Sequence, residues 1–239
     1  MYLHEMLGIF HTRYNRRNRL CFPGGLHELI RLFNKKKADL NRSLREDDPP
    51  EMISRRLIDV TGWLCAVVNY FDELPFIEAF TMKYGESRCP YCGKTSCGCD
   101  PNVRPESPKI SFKEMGVAGC GRTIDWWCEH LETIFGKRNQ EAGIYRVISH
   151  LNEEMEEVIE LTGVIAFVPN DLDELERQYA LELSDVFAHL IAIANLKEIN
   201  LTAVLQDRYG ESCPTCREKS CLCPRVIVTD EEIRKIGTD

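Results

Sequence analysis

Residues 151–195 read LNEEMEEVIELTGVIAFVPNDLDELERQYALELSDVFAHLIAIAN, and the interpretation of the whole chain starts from them. Apolar residues recur at helical spacing on both sides of a break at Pro169, which predicts two α-helices joined by a short turn. Among their acidic residues, the candidates for a shared site are Glu153, Glu154 and Glu157 on the first helix and Glu182 and Asp185 on the second. Residues three or four positions apart share a helix face, so each helix presents two carboxylates in one direction.

The two helices differ in how strongly their carboxylates indicate a site. On the first, the glutamates lie roughly opposite an apolar stripe, which is also typical of a solvated charged face. Residues 180–196 of the second are apolar nearly all round, and a carboxylate in a buried helix is unfavourable unless it is paired or binds metal. Glu182 and Asp185 therefore favour a Mg²⁺ site, since this ion combines a few carboxylates with water and phosphate. His189, four residues after Asp185, either supports such a site or packs in the core.

The pattern EExxE followed about two dozen residues later by ExxD resembles the MazG-like family of all-α nucleoside triphosphate pyrophosphohydrolases, over roughly residues 123–209. The resemblance implies Mg²⁺-dependent cleavage of a ribo- or deoxyribonucleoside triphosphate between its α and β phosphates, which gives the monophosphate and pyrophosphate. The Mg²⁺ ligands that it implies are Glu154, Glu157, Glu182 and Asp185. Glu153 would be either a further ligand or the base that orients the attacking water.

The chain also contains an internal repeat. YGESRCPYCGKTSCGC at 84–99 matches YGESCPTCREKSCLC at 209–223, and further matches pair 54–85 with 179–210, 25–40 with 143–158, GIF at 8–10 with TIF at 133–135, and RRN at 16–18 with KRN at 137–139. We therefore expect a tandem duplication, with residues 1–107 as the first repeat and 108–239 as the second. The proline-rich residues 100–109 are the expected linker.

Each repeat is predicted to contain four helices. The expected bounds are Leu3–Tyr14, Leu26–Arg45, Pro50–Asn69 and Leu74–Tyr84, then Ile124–Phe135, Ile144–Thr162, Leu172–Leu196 and Leu201–Tyr209, with Asp171 as an N-cap. The predicted fold class is all-α. Because MazG-like proteins pair two copies in one bundle, the resemblance implies a fused pseudo-dimer of two repeats.

The first repeat has lost most of the carboxylates. Lys35, Lys36 and Asp39 stand where the second repeat has Glu153, Glu154 and Glu157, and Leu57 and Val60 stand where it has Glu182 and Asp185. Lysines repel a cation, so we expect one Mg²⁺ site per chain, in the second repeat. The lysines Lys35–Lys37 either face solvent or approach the substrate phosphates.

Eight of the twelve cysteines form two clusters, Cys89, Cys92, Cys97 and Cys99, and Cys213, Cys216, Cys221 and Cys223. Four thiolates close a tetrahedral shell around Zn²⁺ and leave no position for water, so each cluster predicts a structural zinc knuckle, at 89–99 and 213–223. Iron, disulfide pairs or ligands shared between the clusters are the alternatives. Cys21, Cys65, Cys120 and Cys128 lack such spacing and are expected to be buried or free thiols.

Composition excludes several classes of protein. With 239 residues, a net charge of −8 and a pI near 5.4, the chain is long enough for a sizeable core and too acidic for broad nucleic-acid binding. It contains neither GxxxxGK[ST] nor GxGxxG. The start resembles no signal peptide and no apolar run reaches about 20 residues, so a cytoplasmic protein without a membrane partner is expected.

Substrate contacts have weaker support. The candidates are Lys137 and Arg138 between the first and second helices of the repeat, His189, Asn195 and Tyr209; Trp126 and Trp127 either stack a nucleobase or belong to the core. Two other functions remain open. The chain could sense nucleotides without turnover, or act as a protein or nucleic-acid adaptor through its zinc knuckles. The chain could also associate into a homo-oligomer beyond the fused pair.

Overall fold

The computed structural model describes residues 1–21, 24–71, 73–100, 121–167, 172–221 and 223. These residues form eight α-helices and no strand, which confirms the predicted all-α class. The helices are α1 (Leu3–Cys21), α2 (Gly25–Arg45), α3 (Pro50–Val68), α4 (Phe76–Tyr84), α5 (Ile124–Ala142), α6 (Ile144–Phe167), α7 (Leu172–Leu196) and α8 (Leu201–Tyr209). Each run of four helices is followed by one cysteine cluster, as the repeat predicts.

Three helices are longer than predicted. α1 continues to Cys21, α5 to Ala142 and α6 to Phe167, instead of ending near Tyr14, Phe135 and Thr162. The extensions of α1 and α5 are polar and contain neither proline nor glycine after Gly136, so nothing in them stops a helix that is already formed. Lys137 and Arg138 therefore lie within α5, and their placement between two helices was wrong.

The transition from α5 to α6 is short and sharply defined. The Thr123 hydroxyl accepts a hydrogen bond from the backbone N–H of Trp126, which caps the start of α5. The helix ends at Ala142, and only Gly143 separates it from α6. Gly143 has a φ of 77°, a conformation that costs glycine little and other residues much more. This turn holds the carboxylate helix α6 directly after α5.

Helix α7 lies at the centre of the protein. It packs against α3, α4, α5 and α6, and the side chains of Leu183, Phe187, Leu190 and Ile191 are fully buried. By length and composition α7 could cross a membrane, but 67% of its apolar window is buried against the other helices. The prediction of a carboxylate-bearing helix with little exposure is confirmed.

The repeats exchange their cysteine clusters. The backbone N–H of Cys97 donates to the carbonyl of Ile134 in α5 at 2.7 Å, and the N–H of Cys221 donates to the carbonyl of Arg13 in α1 at 2.8 Å. The alignment that matches residues 16–18 with 137–139 also pairs Arg13 with Ile134. Because the two clusters bond to these paired residues, this alignment is the one that relates α1 to α5. Each cluster thus packs on the first helix of the other repeat.

The same register relates the residues that precede α1 and α5. Tyr2 and Thr123 form an antiparallel bridge, and the N–H of Ile124 donates to the carbonyl of Met1 at 2.9 Å. Residues that this register matches therefore meet each other here.

Several predictions concern residues outside the described ranges. These are the linker at 101–109, the boundary between 107 and 108, the N-cap role of Asp171 and the state of Cys120.

Candidate functional site

Three carboxylates converge between α6 and α7. Oxygen atoms of Glu154, Glu157 and Glu182 all lie within 4.8 Å of one another. Glu154 and Glu157 are one turn apart on α6, and α7 packs along this face, so Glu182 meets them from the opposite side. Glu154 is only 7% exposed. Of the five predicted carboxylates, the structure brings these three into one cluster, which we call the acidic cluster.

Asp185 lies beside the acidic cluster but is held by residues of the first repeat. The Lys83 ammonium forms a buried ion pair with Oδ2 of Asp185, and the Tyr84 hydroxyl donates to Oδ1 at 2.6 Å. All three residues are nearly inaccessible to solvent. Lys83 and Tyr84 form the end of α4, which packs against α7. The first repeat thus supplies a positive charge to the carboxylates of the second.

Burial and mutual repulsion perturb these carboxylates. Burial, together with the neighbouring Asp185 and Glu157, raises the pKa of Glu182 to about 8, against the opposing effect of Lys83. Burial also raises the pKa of Asp185, although Lys83 and Tyr84 oppose that shift. The charged form of the cluster is therefore unfavourable in the protein alone, and an additional positive charge would stabilise it.

Glu153 lies outside the acidic cluster. One of its carboxylate oxygens is 3.1 Å from Nδ1 of His150, and the other accepts a hydrogen bond from Ser149 at 3.4 Å. The His150 ring stacks on His189, with centroids 5.8 Å apart, and Nε2 of His189 is 3.9 Å from Oε1 of Glu154. The two histidines therefore connect Glu153 to the edge of the cluster.

A small cavity of about 70 Å³ adjoins the cluster, and we call it the acidic cavity. Arg138 and Asn139 of α5 line it together with Glu154 and His189. Nε of Arg138 is buried and has no hydrogen-bond partner among the described residues. A guanidinium in this position is suited to contact an anion. Tyr91, from the first cysteine cluster, lines the same cavity.

Other predicted contacts are not brought to this cavity. The Lys137 side chain is 75% exposed and lies 3.9 Å from Glu141, while the Asn195 amide donates to the carbonyl of Cys128 at 2.9 Å. Tyr209 lines a different cavity. Trp127 is 1% exposed and belongs to the core, which leaves Trp126 as the accessible aromatic of the pair.

Trp126 is already engaged in ring contacts. Its ring stacks on His130 with centroids 4.3 Å apart, and the Arg122 guanidinium lies 4.0 Å from its centroid. In this arrangement one face of the indole meets a histidine and the ring also meets a cation.

The lysine run of the first repeat does not line the acidic cavity either. Lys35 is exposed, Lys36 is 4.0 Å from Asp59, and Lys37 is buried.

Sequence reasoning missed the residues that the first repeat contributes. The repeat alignment pairs Lys83 and Tyr84 with Arg208 and Tyr209, and the structure shows both pairs on an aspartate of the other repeat. Arg208 donates to Asp59 at 2.6 Å and the Tyr209 hydroxyl to the same oxygen at 3.3 Å. A basic residue before tyrosine at the end of both short helices was the available signal.

The cysteine clusters have the geometry of metal sites. In each, the four sulfur atoms lie within 4.8 Å of one another; the Sγ–Sγ distance is 3.5 Å for Cys213–Cys221 and 4.0 Å for Cys89–Cys99. A disulfide needs about 2.05 Å, whereas tetrahedral thiolates on zinc at about 2.3 Å stand about 3.8 Å apart. Disulfide pairing and ligand sharing between the clusters are therefore not observed, and none of these eight cysteines forms a disulfide.

Comparison of the chain with protein-family models, curated proteins and solved structures gave no match. The resemblance to MazG-like enzymes accordingly depends on the motif residues alone.

Proposed function

We propose that the protein is a Mg²⁺-dependent nucleoside triphosphate pyrophosphohydrolase of the MazG-like type, with one active site per chain. The observation that carries the proposal is the convergence of Glu154, Glu157 and Glu182 within 4.8 Å, in a partly buried position beside Asp185. Carboxylates crowded in this way repel one another unless a cation lies between them.

The donor set fits magnesium. Three carboxylates from two helices offer hard oxygen ligands, and since Mg²⁺ takes six ligands, other positions remain for water and phosphate. Asp185 would join these ligands if its ion pair with Lys83 loosened. Bound here, Mg²⁺ would neutralise the triphosphate and polarise its phosphate oxygens.

The residues around the acidic cavity have separate tasks in this proposal. Arg138 would donate from its buried Nε to a phosphate oxygen, and Asn139 lies beside it in the cavity lining. Glu153, held by His150 and Ser149, would accept the proton of the attacking water rather than bind metal. Lys83 would hold the charge of Asp185 in place when the site is empty.

We further propose that the two repeats form a fused dimer, so that each completes a site in the other. Three reciprocal contacts support this proposal: the exchanged cysteine clusters, the bridge between Tyr2 and Thr123, and the Lys83–Asp185 and Arg208–Asp59 pairs. The clusters would each hold one structural Zn²⁺.

Pyrophosphate release tests the proposed activity. The full-length, zinc-loaded protein is incubated with a panel of ribo- and deoxyribonucleoside triphosphates, with and without Mg²⁺. We expect Mg²⁺-dependent release from at least one of them and a loss of at least about a hundredfold in Glu182→Gln, because one of three converging carboxylates is removed. Glu160→Gln, an exposed position on α6, is the matched control and should retain activity.

The outcomes separate the proposal from its alternatives. Mg²⁺-dependent nucleotide binding without pyrophosphate would favour a sensor. A folded protein with neither binding nor release would contradict the nucleotide site altogether and favour an adaptor. Glu153→Gln separates the role of base from that of metal ligand. If Glu153 is the base, kcat should fall while the Mg²⁺ concentration for half-maximal rate stays constant; a large rise in that concentration would make Glu153 a ligand.

A further inference from the structure

A second cavity, of about 310 Å³, lies between α1, α3, α8 and the second cysteine cluster. It occupies the position in the first half of the bundle that the acidic cavity occupies in the second. Arg17 and Asn18 of α1 line it, and these residues match Arg138 and Asn139 in the repeat. Tyr209 lines it as Tyr84 lines the acidic cavity. The two cavities therefore share a common framework.

The charge of the second cavity is reversed. Lys36 lines it and stands in the repeat where Glu154 stands in the acidic cavity. Arg17 and Arg208 add two guanidinium groups, and Asp59 is the single carboxylate among the described residues of the lining. Asp59 is contacted by Arg208 at 2.6 Å and by Lys36 at 4.0 Å. Three cations around one carboxylate leave a positive balance, so we call this the basic cavity.

The cysteine cluster on one wall does not cancel that balance. Four thiolates on one zinc ion would carry two negative charges, but the buried Arg13 lies on the same cluster. Its guanidinium donates to the carbonyls of Tyr209 and Lys219, next to the cluster. The charges of Lys36, Arg17 and Arg208 favour an anion and repel a divalent cation. The acidic cavity has the opposite preference.

An aromatic wall accompanies these cations. Phe10, Tyr14 and Tyr209 pack on one another with centroids 4.9–6.2 Å apart, and Trp63 of α3 is partly exposed in the lining. In the acidic cavity the position of Trp63 is taken by Ala188. A partly exposed indole beside lysine and arginine suits a planar ring that carries a negative group. The volume is at the lower end of the range for small-molecule sites.

We propose that the basic cavity binds a phosphorylated nucleoside without a divalent cation. The phosphate would lie at Lys36 and Arg208, and the base against Trp63. This site is distinct from the acidic cluster and does not depend on turnover there. The exchange of glutamate for lysine has thus replaced a cation site by an anion site on the same framework.

Calorimetry in magnesium-free buffer tests the proposal on the full-length, zinc-loaded protein. The probes are AMP, GMP, CMP and UMP, with inorganic phosphate and the four nucleosides as partial ligands. We expect at least one monophosphate to bind more tightly than both phosphate and its own nucleoside, since it alone engages the cations and the indole together. If no monophosphate binds, or if phosphate binds equally well, the proposal is wrong.

Variants locate the site. Lys36→Gln should weaken the binding of the monophosphate by at least about tenfold, as expected for loss of a charged contact. Lys35→Gln, an exposed neighbour outside the cavity lining, should change it less than twofold. Trp63→Leu should weaken the monophosphate but leave phosphate binding unchanged, and it serves as the test if Lys36→Gln fails to fold.

One further variant distinguishes the two cavities. Glu182→Gln should leave metal-free binding unchanged even though it abolishes pyrophosphate release. Binding that is lost in Glu182→Gln and retained in Lys36→Gln would place the nucleotide at the acidic cluster and overturn the proposal.

Discussion

Glu182→Gln should make the metal-free protein more stable while it removes the proposed activity. The ordinary pKa of this carboxyl is 4.5 and its pKa in the folded protein is about 8. Between these two values the folded state holds a proton that the unfolded state releases. The stability of the wild type therefore falls as pH rises through this window, and the loss is complete above the folded pKa.

The size of the effect follows from the two pKa values. Because Glu182 ionises more readily in the unfolded state, its raised pKa lowers the free energy of unfolding by about 2 kcal/mol near pH 6 and about 4 kcal/mol near pH 7.5. Glutamine has the same shape and no charge to ionise, so the variant avoids this cost. For a chain of this size 1 kcal/mol corresponds to about 2–4 °C in Tm, so the variant should melt about 8–16 °C higher near pH 7.5.

Thermal unfolding followed by circular dichroism measures this difference at several pH values between about 6 and 8.5. The gain should grow with pH, and Mg²⁺ should raise the Tm of the wild type more than that of the variant, because the ion stabilises the charged cluster. Glu160→Gln should show neither effect. A variant that melts below the wild type near pH 7.5, or a gain that is independent of pH, would refute the reasoning.

Three further predictions concern the elements that hold the site. Lys83→Met leaves Asp185 buried without its ion-pair partner and should lower the free energy of unfolding by about 3–5 kcal/mol, as measured by urea titration. Adding Asp185→Asn should restore part of the lost stability, and no recovery would contradict the pairing. Metal analysis should find two zinc ions per chain, and Cys97→Ser should reduce this to about one; an unchanged content would contradict the assigned ligands. Asn200→Ala removes the N-cap of α8, whose side chain accepts a hydrogen bond from the N–H of Ala203, and should lower the free energy of unfolding by about 1 kcal/mol. Asp207→Asn, at an exposed position of the same helix, is the control and should cause no measurable change.

The helices could be predicted because their signals are local. Apolar periodicity and the break at Pro169 predicted the order of all eight, and the larger errors fell at helix ends, such as residues 15–21 of α1 and 163–167 of α6. The cysteine clusters were equally readable, since four thiolates within about eleven residues can reach one point without help from the rest of the chain.

The composition of the site was less predictable because it depends on contacts between the repeats. Spacing indicated that Glu154, Glu157 and Glu182 share a point, and they do. Spacing could not indicate that Asp185 would pair with Lys83, which lies 102 residues earlier. Glu153 shares a helix with the cluster, but a neighbouring histidine draws its carboxylate away, and helix geometry alone does not specify which of two adjacent glutamates turns inward.

The exchange of cysteine clusters constrains how this protein can evolve. A deletion or recombination that removes one repeat would take with it the surface on which the other repeat's cluster packs, and also a basic residue from the other's aspartate. Lys83 and Tyr84 of the first repeat hold Asp185 of the second, and Cys97 of the first packs on Ile134 of the second. A substitution in one repeat can therefore damage the other, so the two copies cannot change independently.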